Sequence, residues 1–190
     1  MLGCLAVLRK SRRGVRSKSG LLSRFRRDTS GVYAIEFAFV ALPFFALIFA
    51  IIETGLVFFA GSVLDQASSE AARLVRTGQA QQGGLSSTAF KSEICGEMAI
   101  PMFACEKLYV DIRTYKQFKD IAISKPLDDD GNLQNDFTFN PGSGGEIVVV
   151  RVFYEWPIVV NSFGIDLADM ANGSRLLSSV HAFRNEPFPW

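Results

Sequence analysis

From Phe37 to Ile52 the chain carries no charged or strongly polar side chain, and the residues just before that run are its most basic. Apolar character extends back to Val32 and forward to Leu64, interrupted by Glu36, Glu53, Thr54 and a few small residues. A bilayer-spanning helix needs about 20 mostly apolar residues. One that starts near Ala34 would leave the hydrocarbon near Glu53 or Thr54. That reading places Glu53 at the outer boundary, where a carboxylate is tolerated, and Glu36 just inside the cytoplasmic edge.

Charge orients this span. Residues 1–31 hold nine Lys and Arg against one acid, Asp28, a net +8 within a chain of net +1. The body is therefore acidic. A cationic flank on the N-terminal side of an apolar run predicts a cytoplasmic N-terminus and an external C-terminal region. Basic residues also attract nucleic acid, but no recognition-helix pattern or zinc-ligand spacing accompanies them, so no nucleic-acid partner is expected. The run is too long for a cleaved secretory signal, and Phe58-Phe59-Ala60 does not make a small-residue cleavage site. Cys4 has no apolar region before it, which excludes a lipoprotein signal. The span is expected to persist as an anchor.

Helical periodicity continues past the membrane. Ala60, Leu64, Ala67, Ala71 and Leu74 recur at spacings of four and three, with Ser62, Gln66, Ser69, Glu70 and Arg73 opposite. Small residues on the apolar face allow close approach, either of the protein's own sheet or of a partner at Ala60. Arg73 and Arg76 suit a helix C-terminus, and Gly78 follows as its cap. The expected organisation is a basic leader over 1–31, a helix over 32–77 and a domain over 78–190. The helix would be about 70 Å long if unbroken by Pro43 or Gly55.

Gln79 to Thr88 reads as a loop, and Lys91 to Phe103 as a short helix interrupted by Pro101. Strands are predicted at Leu108–Thr114, Glu146–Trp156 and Arg175–Arg184. Between the first two lies a turn-rich stretch, Lys125–Gly145, and Pro157–Gly173 crosses over as loop and short helix. The expected fold class is α+β: one long N-terminal helix against a small, three- or four-stranded, mainly antiparallel sheet, an arrangement that resembles the architecture of pilin-like proteins. Cys95 and Cys105 form an even pair in the exported part, best read as a disulfide; two free buried thiols are the alternative.

Motifs for catalysis are missing. There is no H-E-x-x-H, G-x-S-x-G or P-loop, and Gly142-Ser143-Gly144-Gly145 lacks the lysine a phosphate loop needs. The one histidine, His181, falls on a predicted strand, hydrogen-bonded or facing solvent. Asp128 to Asp130 resembles a calcium loop in composition, but the first and last ligand positions would be Pro126 and Phe137, which cannot serve. No catalytic residue, cofactor or metal ligand is expected.

Across the membrane edge the chain reads Arg26-Arg27-Asp28-Thr29-Ser30-Gly31-Val32-Tyr33-Ala34-Ile35-Glu36-Phe37. This resembles the type IV prepilin signature in its Flp/Tad form. The resemblance implies cleavage between Gly31 and Val32 by a prepilin peptidase, and it makes Glu36 and Phe37 the pilin-type glutamate and its following aromatic. A plain, uncleaved signal anchor is the alternative. Further stretches resemble TadE-like proteins of the tight-adherence pilus system. These are Ser69 to Gln79, the Cys95…Cys105 segment with Leu108 to Arg113, the strand Val148 to Pro157, and the ending His181 to Phe188. That resemblance implies a non-enzymatic pseudopilin or minor-pilin component of the bacterial inner membrane with a periplasmic domain. Its partners would be the peptidase and other Tad proteins (TadF- and TadG-like proteins, platform and pilin), met through the N-terminal helix. A permanently anchored envelope assembly factor or sensor, never processed, is the competing expectation.

Overall fold

The computed structural model describes residues 30–98, 101–159 and 167–189. The basic leader, Cys4 and the middle of the expected Pro157–Gly173 crossover lie outside the described residues. The chain divides into two units, residues 1–45 and 46–190. Three helices come first: α1 (Ser30–Arg76), α2 (Gln79–Gln82) and α3 (Ser87–Glu97). Three strands follow: β1 (Leu108–Tyr115), β2 (Ile147–Pro157) and β3 (Ser174–Arg184).

In the first unit the described residues are the opening of α1. Tyr33, Phe37, Phe39 and Leu42 are all exposed there. Helix α1 is long and apolar enough to cross a membrane, and only 6% of its most apolar window is buried. A helix from the core of a soluble protein would be mostly buried instead. Helical structure continues through Pro43 and Gly55.

In the second unit the strands form one antiparallel sheet of order β1-β2-β3. Val110 pairs with Val152, Ile112 with Val150, Val150 with His181 and Val152 with Ser179. Because side chains alternate along a strand, this register sorts the residues by face. Leu108, Val110 and Ile112 of β1 and Val148, Val150, Val152, Tyr154 and Trp156 of β2 share one face. They form a single core with Ala60, Leu64, Ala67, Ala71 and Val75 of α1 and Phe90 and Ile94 of α3. The stripe on α1 ends on Val75, fully buried, while Leu74 is half-buried. Ala60 lies in this core, so self-packing is its role within the chain.

The opposite face is covered too. Ile147, Val149, Arg151 and Phe153 are buried, and Phe137 stacks on Phe153 with ring centroids 5.8 Å apart. The turn-rich excursion between β1 and β2 supplies that cover. Thr138 and Asn140 bond to the backbone of Ile112, and Phe139 bridges it in parallel. The run Ile147-Val148-Val149-Val150 is the sequence signature of a strand buried on both sides.

Helix α3 begins earlier than expected and ends at Glu97, before Pro101. Ser86 is its N-cap, its Oγ accepting the N–H of Ala89 at 3.2 Å. The expected loop Gln79–Thr88 therefore holds the short α2 and the start of α3. Helix α1 stops at Gly78, whose φ of 80° is left-handed. The C-terminal tail closes over this point: the N–H of Glu186 donates to the carbonyl of Arg76 at 2.9 Å, and that of Asn185 to Glu146 at 2.8 Å.

The ring of Phe188 covers Gly78 so closely that a Cβ there would stand 2.6 Å from it. Gly78→Ala is expected to destabilise the full chain by about 1–3 kcal/mol, combining φ strain with the clash. Thermal unfolding in detergent measures this. The penalty should shrink in a Phe188→Ala background, because the two residues touch.

Candidate functional site

The candidate processing segment opens α1. Gly31 and Val32 lie in its first turn and Glu36 one turn further on; Val32, Tyr33, Glu36 and Phe37 are exposed. A Cβ on Gly31 would meet nothing within 4 Å. Glycine weakens a helix by roughly 0.5–1 kcal/mol relative to alanine, and no packing contact requires it at this position. The first turn of a helix lacks intrahelical acceptors for its N–H groups and is the easiest part to unwind. Val32 and Glu36 are four apart and share a helix face.

Cys95 of α3 and Cys105, just before β1, form a disulfide with Cα atoms 5.8 Å apart. It ties the α3 end of the core to the first strand. Nearby, Phe103 meets Tyr154 and Trp156 edge-on or tilted, and Tyr154 Oη accepts the N–H of Ala104 at 2.9 Å.

Sequence reasoning did not find the ion network on the outer sheet face. Asp111 of β1 is fully buried and lies opposite Arg151 of β2 in the register. Arg151 donates to Asp111 Oδ2 through Nη2 at 2.6 Å and Nε at 2.8 Å, and to the carbonyl of Ser124 at 3.0 Å. Arg113 bonds both oxygens of Asp111 and reaches Asp136. Burial by itself would raise the Asp111 pKa; the N–H of Thr138 and the two guanidinium groups instead hold it below the ordinary carboxylate range. An apolar-polar alternation such as Val110-Asp111-Ile112-Arg113 reads as a solvent-facing polar row. Only the excursion folding over it makes it internal.

A second cluster joins α1 to β3. Ser68 Oγ lies 2.7 Å from Ser179 Oγ and 2.9 Å from His181 Nε2, and Ser179 Oγ donates to Asp65 Oδ1 at 2.7 Å. The residue types are those of a hydrolytic triad, but the geometry differs. Asp65 and both serines gather around one ring nitrogen, Nε2, whereas the relay needs the acid on the opposite nitrogen. Ser68 is fully buried. The cluster fastens helix to sheet. His181 is thus hydrogen-bonded on the helix-facing side of β3.

Asp128 is occupied by its own turn. It accepts from the N–H of Asn132 at 2.7 Å and of Asp130 at 3.0 Å, and these bonds, that from Asn132 first, keep its pKa low. Among the described residues no group of three or more His, Cys, Asp and Glu side chains could hold a metal. A cavity of about 650 Å³ on the outer sheet face is lined by Arg151, Phe153, Asp128 and Ser178, and its guanidinium is already committed to Asp111 and Ser124.

Gly31 thus lies at the start of a helix whose first half is apolar and exposed and whose second half packs on the sheet. Residues 31–73 match the model of the TadE-like protein family. The TadE-like segment starts at Gly31, lies wholly within α1 and covers both its exposed apolar surface and most of its buried stripe. The match covers less than half of the chain. No curated protein and no solved structure matches the chain.

Asp111 generates a pH expectation. Its folded-state pKa is depressed, so the stability it contributes is complete above the unfolded carboxylate pKa of about 3.9 and is lost as pH falls through the folded value. Asp111→Asn should remove that acid limb and cost about 3–5 kcal/mol, because it strands the buried Arg151. Replacing both, as Asp111→Leu with Arg151→Met, should cost less than Asp111→Asn alone. Urea unfolding from pH 7 downward tests both statements.

Proposed function

We propose that this chain is a non-enzymatic pseudopilin- or minor-pilin-like component of Tad (Flp-type) pilus biogenesis. It is held in the bacterial inner membrane by α1, with its N-terminus in the cytoplasm and residues 78–190 in the periplasm, and a prepilin peptidase processes it between Gly31 and Val32. The observation that carries this reading is the TadE-like match, which begins at the glycine of the processing motif and runs along one helix. The setting supports it. A +8 segment precedes the glycine and an apolar, exposed helix surface follows it. Cutting there removes the charge block and only the first two residues of the helix, so the subunit is free to leave the bilayer along its axis.

Glu36 then lies at mature position five. A carboxylate in an apolar setting is costly unless paired. The new α-amine of a neighbouring subunit provides the pairing. Contacts with TadF- and TadG-like proteins, platform and pilin run through the exposed part of α1. The folded domain keeps the stripe from Ala60 to Val75 for itself.

N-terminal sequencing of the membrane-extracted protein tests the proposal. Cells with the peptidase should yield a chain that begins at Val32, and Gly31→Leu should leave it at its original length. An intact Met1 in those cells would mean a permanent anchor and an assembly-factor role instead.

A further inference from the structure

The buried stripe of α1 extends below Ala60. Ala50, Glu53 and Val57 continue it at spacings of three and four, and Ala50 and Glu53 are buried. The sequence places Glu53 at the outer boundary of the span, where a carboxylate is tolerated; in the structure it is 6% exposed. Its carboxylate accepts the N–H of Val159, in the turn that leaves β2. Side chains on the rest of this helix surface remain apolar and open: Ile51, Ile52, Leu56, Phe58 and Phe59 are exposed. Between Glu36 and Asp65 the sequence has no charge other than Glu53. Val159 itself is 86% exposed.

These facts combine two separate segments in one place. An exposed valine from the sheet's exit turn stands beside the helix at a level where the helix surface is still apolar. A free carboxylate would be expensive there, and this one is shielded beneath a backbone amide, the kind of internal partner that a lipid environment demands. Counted from Phe37 to Phe59, the apolar helix surface spans about 34 Å, which matches the hydrocarbon thickness plus its margin.

We propose that the β2 exit turn at Ile158–Val159 is a second membrane contact. It seats the domain in the outer lipid interface, with the Glu53–Val159 bond as its latch and lipid as the occupant of the helix surface up to Phe59. Continuity between this patch and the apolar span favours lipid over a second copy of the chain. Glu53 is then a depth-setting residue inside the lipid-facing zone, and Asp65 is the first exposed charge beyond it. The inference rests on α1 being a membrane anchor.

The test uses the full chain carrying Cys4→Ser, reconstituted in phosphatidylcholine–phosphatidylglycerol vesicles, with one added cysteine bearing an environment-sensitive fluorophore. Probes stand at Val159→Cys, at Leu47→Cys within the span, and at Lys116→Cys, exposed at the opposite end of the sheet. The Val159 probe should shift to the blue and be quenched by lipids spin-labelled near the headgroup. The Leu47 probe should be quenched by deep labels, and the Lys116 probe by aqueous iodide alone. Glu53→Ala should abolish lipid quenching at Val159 and preserve it at Leu47, whereas Glu53→Gln, which still offers an acceptor oxygen, should retain both.

A Val159 probe that behaves like the Lys116 probe while Leu47 is quenched would overturn the inference and leave the anchor intact. Shielding of Val159 from both lipid and iodide would overturn it in favour of a protein partner. An unquenched Leu47 probe would remove the anchor and the inference together.

Discussion

Helix α1 carries an exposed apolar surface and a buried stripe along one continuous helix, and the small residues of that stripe are what let it pack on the sheet. Ala60, Ala67 and Ala71 are almost fully buried, and their short side chains bring the helix backbone close to the sheet. Leu64 and Val75 fill the space between them. Each fully buried leucine or valine side chain contributes about 1.5–3 kcal/mol of hydrophobic stabilisation, before the entropy of ordering is subtracted. The apolar face of the sheet has to be buried against another layer. The core therefore exists because α1 lies on it, and α1 is held at its sheet end because the core exists.

Other parts of the domain protect that packing. The tail from Asn185 to Phe188 bonds the last turn of α1 and covers Gly78. The Ser68–Ser179–His181–Asp65 cluster gives helix and strand a directional contact where the side chains are polar. The disulfide fixes α3 to the start of β1. Together they fix the sheet-bound end of α1.

The polar clusters are structural in their geometry. The Asp111–Arg151–Arg113 network replaces water for charges that the excursion over residues 116–146 has buried. Its stability value is small compared with the penalty for breaking it, because removing one partner strands the other. The Ser–His–Asp cluster shows why residue type alone does not define chemistry. The same side chains that hydrolyse esters elsewhere here share one nitrogen, and Ser68 is fully buried.

Much of this fold was legible in the chain. The apolar run with its cationic flank, the stripe from Ala60, the cap at Gly78, the three strands and the cysteine pair follow from periodicity and composition, because each is a local consequence of side-chain spacing. What the sequence could not determine were contacts between residues far apart along it. Whether the alternating polar row of β1 faces water or protein depends on where an excursion of some thirty residues folds, which spacing does not encode. Nor could spacing show that Glu53 is roofed by the amide of Val159, 106 residues later. A carboxylate at a membrane edge reads as solvated until a second segment is seen to cover it. The sequence by itself determined that a helix long and apolar enough to cross a membrane continues onto a sheet. Only the tertiary structure decided which side chains on that helix stay exposed, because burial is a property of the assembled surfaces.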